Sequence, residues 1–308
     1  MKSLRVIILV LFGFQINCFA QKPLSKGEHF AKINGLKLHY VISGKGPLCI
    51  FPTPGWGPNL DAYKNSMPDL EKTFTVVWLD TRASGLSEGS DKPEDYQTDD
   101  FIEDMEQLRI HLKQDKVWIA GHSMGGWQVL NYGIKYNKNL KGIIAIAAFA
   151  GMDQVAQKEY VKAIKKRSSE PYFAAGSKML MGQDTTKRSL NEEMGYIMPF
   201  YFHDQANLPK FMAVENVQLS QKAWDMTSKG GLGSEQILDL LPKITVPTLV
   251  LVGDDDFICD QVSHASRIHK AIKNSQLSVI KNAGHFIWIE QPEAFFGEIN
   301  NWMKKQKL

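Results

Sequence analysis

The sequence predicts an α/β fold: a mostly parallel sheet with helices on both faces and a helical unit inserted late in the sheet. Three observations predict it. Short apolar runs alternate with longer stretches of helical period, which makes consecutive strands parallel and leaves helices to cover both faces. Asn34-Gly35 between two alternating runs is a strong hairpin signal, so the chain opens antiparallel. Between about Gly151 and Leu241 the β-rich runs stop and Met and aromatic residues take over, so a helical insertion interrupts the rhythm.

Taken in order, the chain begins with Lys2 and Arg5 ahead of an apolar run at residues 6–12, and Cys18-Phe19-Ala20 ends on a small residue before Gln21. This reads as an export signal cut after Ala20. The apolar run is short for a membrane span, and Gln15-Ile16-Asn17 is a poor context for lipid attachment at Cys18. The expected division is a signal at 1–20, a core at 21–150 and 241–308, and a helical cap, or lid, at 151–240. The hairpin occupies residues 29–33 and 36–43. Leu48, Cys49, Ile50 and Phe51 form the third strand, followed by the loop Pro52-Thr53-Pro54-Gly55-Trp56-Gly57, and residues 74–79 form the fourth. Thr98, backed by Asp99 and Asp100, caps a helix whose Phe101, Met105, Leu108 and Leu112 make one apolar stripe. Residues 117–120 and 142–148 are strands five and six, 248–253 and 277–280 are seven and eight, and Pro292 opens a terminal helix.

Gly121-His122-Ser123-Met124-Gly125-Gly126 follows the fifth strand directly. A strand that must become a helix within two residues forces the serine into a strained conformation with its hydroxyl above the sheet, and small neighbours leave room for the turn. A serine hydroxyl is a weak nucleophile near neutral pH, so it needs a base, a group to orient the base, and an oxyanion site. His285, on the loop Asn282-Ala283-Gly284-His285, is the base. The acid belongs on the loop after the seventh strand, where Asp254, Asp255 and Asp256 stand together; Asp153, after the sixth strand, is the second choice. The chain order Ser, Asp, His separates this layout from other triad arrangements.

With these segments in that order, the chain resembles the α/β-hydrolase family, in particular its branch of proline iminopeptidases and related esterases. GHSMGG resembles the family's nucleophile elbow, VPTLVLVGDDDFIC its acid segment, and NAGHFIWIEQPEAF its histidine segment. The resemblance covers nearly all of the chain after residue 26 and implies an eight-stranded, mostly parallel sheet with a cap after the sixth strand. It places the acid on Asp256, leaving Asp254 and Asp255 as loop-forming or solvated neighbours. Phe51-Pro52-Thr53-Pro54-Gly55 resembles the family's His-Gly-Gly-Pro-Gly loop with its first three residues changed, so the oxyanion donors are the NH groups of Met124 and, by position, Thr53. Asp80-Thr81-Arg82-Ala83-Ser84-Gly85-Leu86-Ser87 resembles the D-x-R-G-x-G-x-S loop, with structural roles for Asp80 and Arg82. Trp56 and Trp288 stand where they would touch substrate. His122 reads as a packing residue.

The implied activity is an exported serine hydrolase cleaving an ester or amide of a small molecule or short peptide through an acyl-enzyme. Two alternatives stand beside it. A prolyl aminopeptidase needs cap carboxylates for a free amine, and Glu192, Glu193, Glu215 and Asp225 are available, although the elbow lacks the tryptophan after serine usual in those peptidases. A binding protein on a retired hydrolase fold is the other. The histidines show no paired zinc spacing, so no metal or other cofactor is expected. Loss of Lys2 and Arg5 takes the net charge from +3 to +1, which argues against nucleic acid or an anionic membrane as partner of the mature chain. Cys49 lies in the third strand and Cys259 on the loop after Asp256, beyond the seventh strand, and these strands are not neighbours in such a sheet, so both are expected as buried thiols without a disulfide.

Overall fold

The structure, a computed structural model, describes residues 24–306; the expected export signal and its cut lie outside these residues. β1 (Gly27–Ile33) and β2 (Leu36–Gly44) pair antiparallel about Asn34-Gly35, both at positive φ, 48° and 85°, as a two-residue hairpin turn requires. β3 (Leu48–Pro52), β4 (Thr75–Leu79), β5 (Val117–His122), β6 (Leu140–Ile146), β7 (Thr248–Gly253) and β8 (Ser275–Ile280) complete one eight-stranded sheet. Its order is β1-β2-β4-β3-β5-β6-β7-β8, parallel from β4 to β8.

The near-continuous apolar runs follow from burial on both faces. Ile50, Val77, Ile119, Ala145 and Val250 face one core, closed by helices Thr98–His111, Met124–Tyr136 and Ser266–Ala271. Cys49, Val76, Trp78, Trp118, Ile144 and Leu249 face the other, closed by Trp288, Phe295 and Trp302. Successive residues take opposite sides, the period of two a pleated strand imposes. The cap of helix Thr98–His111 differs from expectation by one residue. Gln97 is the N-cap and forms a reciprocal box with Asp100, while the Thr98 hydroxyl donates to Glu235 at 2.8 Å.

β3 lies between β4 and β5, so the chain winds one way from β3 to β4 and then crosses to the other side of β3. Loops leaving the carboxyl ends of β3 and β5 therefore diverge, and such a switch point opens a crevice. Between β6 and β7 the chain leaves the sheet and runs through helices Gln154–Lys166, Phe173–Leu180, Leu190–Ile197, Leu208–Met212 and Gln221–Gly230. These pack small cores of their own around Ile164 and Phe200, and around Leu190, Met194 and Ile197. Met179, Met198 and Trp224 pack against the second of these cores and, with Met212, also line a cavity beneath it.

Candidate active site

Ser123 stands at the turn from β5 into helix Met124–Tyr136 with φ 56° and ψ −120°, a left-handed backbone that costs a non-glycine residue about 1–3 kcal/mol. Its NH donates to Ile146 O at 3.0 Å and its carbonyl accepts Trp127 NH at 3.0 Å, so neighbours on both sides hold the strain. The glycines around it are packing requirements. A Cβ on Gly121 would lie 2.2 Å from Gly125 O, and one on Gly126 2.5 Å from Ala148 Cβ. Gly121→Ala is therefore expected to destabilise the fold by about 3 kcal/mol, the upper range for overpacking. Thermal unfolding should show this as a loss of roughly 5–10 °C, and an unchanged melting temperature would refute the packing argument. The first helical NH groups, from Met124 on, have no carbonyl partner within the helix and sit at its positive end.

Asp256 and His285 come from loops after β7 and β8. His285 Nδ1 lies 2.8 Å from Asp256 Oδ2, and because a carboxylate only accepts, Nδ1 carries the proton and Nε2 is the basic nitrogen. Asp256 Oδ1 accepts the NH groups of Ile258 at 3.0 Å and Cys259 at 2.9 Å. Burial alone would raise this carboxyl, but His285 and those two NH groups outweigh it and hold it below the ordinary value. Ser123 and His285 line the same cavity, and no hydrogen bond joins them; the Ser123 side chain contacts the Cys259 thiol instead. Cys259 is buried, as expected, but it belongs to the site. Asp256, Cys259 and His285 hold three potential ligand atoms within 4.8 Å of one another. Two of them bond each other, and burial raises the thiol well above its usual range, which disfavours the thiolate a metal would take.

Asp153 takes no part in this arrangement. It caps helix Gln154–Lys166 and pairs with Arg267 at 2.6 Å; Arg267 first, then the helix NH groups, hold its carboxyl down to about 2. Asp255 is neither solvated nor merely loop-forming, since it binds Lys166 at 2.7 Å, His203 at 3.1 Å and Arg167 at 3.3 Å, all from the segment between β6 and β7. Asp80 accepts Leu60 NH, Leu86 NH and His39, and Arg82 forks onto Asp104, so both brace loops.

The Thr53 assignment is corrected. Its NH already donates to Leu79 O at 2.9 Å, extending the β3–β4 ladder, and its hydroxyl bonds Thr81. Pro52 and Pro54 have no NH, so Gly55, Trp56 and Gly57 carry the NH groups left on this loop, Gly55 and Trp56 standing nearest Thr53 in the chain. Trp56 lines the cavity against Trp224, whereas Trp288 is nearly sealed, its Nε1 on Ser66 Oγ at 3.0 Å, and forms the back of the wall. His122 does more than pack. Its Nε2 donates to the His285 carbonyl at 3.0 Å, so Nδ1 accepts from Tyr63 OH at 3.1 Å, and burial followed by the neighbouring His285 keeps the ring neutral. Glu290 also escaped sequence reasoning: buried, it accepts Gly284 NH at 2.5 Å and the His203 and Asp204 NH groups at 2.9 Å, stapling the histidine loop to the segment between β6 and β7. Of the four carboxylates singled out between β6 and β7, Glu193 lines the cavity, while Glu192 closes a capping box and Asp225 holds Gln221.

The cavity above Ser123 has a volume of about 790 Å³ and is walled mainly by methionine, aliphatic and aromatic side chains. A family model described as alpha/beta hydrolase fold matches residues 50–292. A proline iminopeptidase of Thermoplasma volcanium is 28% identical over 297 residues, covering 88% of this chain and 95% of that protein. Among solved structures, an alpha/beta fold family hydrolase from Bacillus anthracis superposes with a TM-score of 0.74 at 19% identity, covering 90% of this chain and 99% of that one. A thermophilic esterase from Thermogutta terrifontis gives 0.65 at 23% identity, covering 91% and 98%.

Proposed function

Because the chain belongs to the α/β-hydrolase fold family, we propose that it is a serine hydrolase acting through an acyl-enzyme on an ester or amide. The observation that carries this reading is the Asp256–His285 pair, which leaves Nε2 as the free base in the wall of the cavity that Ser123 enters from its strained elbow. His285 Nε2 takes the Ser123 proton as Oγ attacks the carbonyl carbon. The developing oxyanion meets the Met124 NH and a second NH from Gly55-Trp56 at the start of the dipolar helix. The protonated His285 then gives its proton to the leaving group, and water, deprotonated by the same nitrogen, releases the acid. Hydrogen bonds of this kind often tighten only around substrate, so the missing Ser123–His285 bond is compatible with this step. His122 and Glu290 act through the loop that carries His285.

Residues 151–240 are read as the cap, and the basic, apolar and small-residue pattern of residues 1–20 as an export signal. One experiment tests site and export together: a fluorophosphonate probe applied to the exported fraction, followed by mass spectrometry. The expected result is a tag on Ser123 in a chain beginning at Gln21; a tag elsewhere removes Ser123 from its role, retention of residues 1–20 removes cleavage after Ala20, and absence of the chain from that fraction removes export. Prolyl aminopeptidase activity is the second reading, favoured by the proline iminopeptidase relatives and by Glu193 on the cavity wall. Faster cleavage of prolyl-nitroanilide than of short nitrophenyl esters would promote it.

A further inference from the structure

The interior of the cavity constrains the substrate beyond its scissile bond, on the reading that Ser123 is the nucleophile. Phe149, Met179, Met198, Phe211, Leu219 and Trp224 make its walls, and Glu193, half-buried on the cap, is the only carboxylate among the described lining residues. Three tyrosines also line it. Tyr63 gives its hydroxyl to His122 and Tyr160 gives its own to Leu180 O at 3.1 Å. Tyr201 has no hydrogen-bond partner for its hydroxyl among the described residues, although its ring is fixed 4.9 Å from Phe257, 5.2 Å from His285 and 5.8 Å from Phe286. Its backbone is equally fixed, since its carbonyl accepts the His285 NH. Tyr201 is half-buried and its hydroxyl is not among the sealed unpartnered atoms of the described residues, so it opens onto the cavity as a donor whose hydrating water a substrate acceptor can replace.

We infer that the preferred substrate is a largely apolar acyl ester bearing one uncharged hydrogen-bond acceptor near its scissile carbonyl, received by the Tyr201 hydroxyl. Burial pushes this phenol up, so it remains a protonated donor throughout the working range. An anionic group on the substrate would lose its hydration with no lysine or arginine among the described lining residues to meet it. Tyr201 is thus a specificity-determining residue, placed by the same contact that seats His285.

The test is kinetic and internally controlled. For nitrophenyl acetate, butanoate and hexanoate, kcat/KM should rise about three- to fourfold per methylene, as burial of each methylene predicts. A 5-oxohexanoate ester should exceed hexanoate by about tenfold in the wild type, the size of one satisfied hydrogen bond, and in Tyr201→Phe that ratio should collapse to about one. Phenylalanine keeps the ring contacts, and the ratio does not depend on the fraction of active enzyme. A maximum at acetate, an oxo preference unchanged in Tyr201→Phe, or a prolyl substrate preferred over every ester would overturn the inference. Absence of probe labelling on wild-type Ser123 would instead remove the hydrolase reading beneath it.

Discussion

Ser123→Ala is expected to lower kcat by about 10⁶-fold and to abolish fluorophosphonate labelling, because removal of the nucleophile from a coupled triad costs nearly as much as removal of the whole. The fold should survive. Alanine has the same Cβ as serine, so the backbone at φ 56° is neither relieved nor worsened, and the bonds to Ile146 and Trp127 are made by main chain. The melting temperature should therefore move little while activity disappears, which separates loss of chemistry from loss of structure. Cys259 touches Ser123 and is the obvious substitute nucleophile, but its thiol is buried and held protonated beside Asp256. Residual turnover above about 1%, or a probe-labelled variant, would mean that the chemistry belongs to another side chain.

The sheet and the elbow were legible in the sequence because each rests on local rules: apolar runs make buried strands, Asn-Gly makes the hairpin, and a glycine-flanked serine between strand and helix makes the strained turn. The proposed base was legible because His285 follows a strand end, where loops of a parallel sheet gather, whereas the residues alone left Asp254, Asp255, Asp256 and Asp153 open for the acid and only the resemblance placed it on Asp256. What escaped depends on partners far away in the chain. Whether the Thr53 NH is free is decided by the β3–β4 register, which gives it Leu79 O. His122 alternates correctly as a strand residue, yet its value to the site lies in a carbonyl 163 positions later. Asp255 and Glu290 look like ordinary loop and helix acids until the segment between β6 and β7 brings Lys166, Arg167, His203 and Asp204 to them. These contacts tie the segment between β6 and β7 to both the Asp256 and the His285 loops, so a shift of that segment reaches His285 through its own NH and through Gly284.

Asp256→Asn tests the orientation of the base rather than its presence. The amide oxygen can keep the Ile258 and Cys259 NH groups, which places the amide nitrogen, a donor, against His285 Nδ1. Two donors cannot face each other, so the ring takes the other tautomer and Nε2 carries a proton where a lone pair is needed. Loss of about 10⁴-fold in kcat is expected, the scale found when a triad acid is replaced by its amide, with labelling of Ser123 slowed in proportion. The same substitution has a pH signature in stability. The folded Asp256 carboxyl lies below its unfolded value, so its contribution is present above the unfolded pKa of about 4 and is lost as pH falls through the folded value. Urea unfolding should therefore show the wild type ahead of Asp256→Asn at pH 7 and the gap narrowing toward pH 3. A gap that widens on acidification would mean that Asp256 is held protonated in the fold, and the charge-stabilised His285 proposed for catalysis would fail with it.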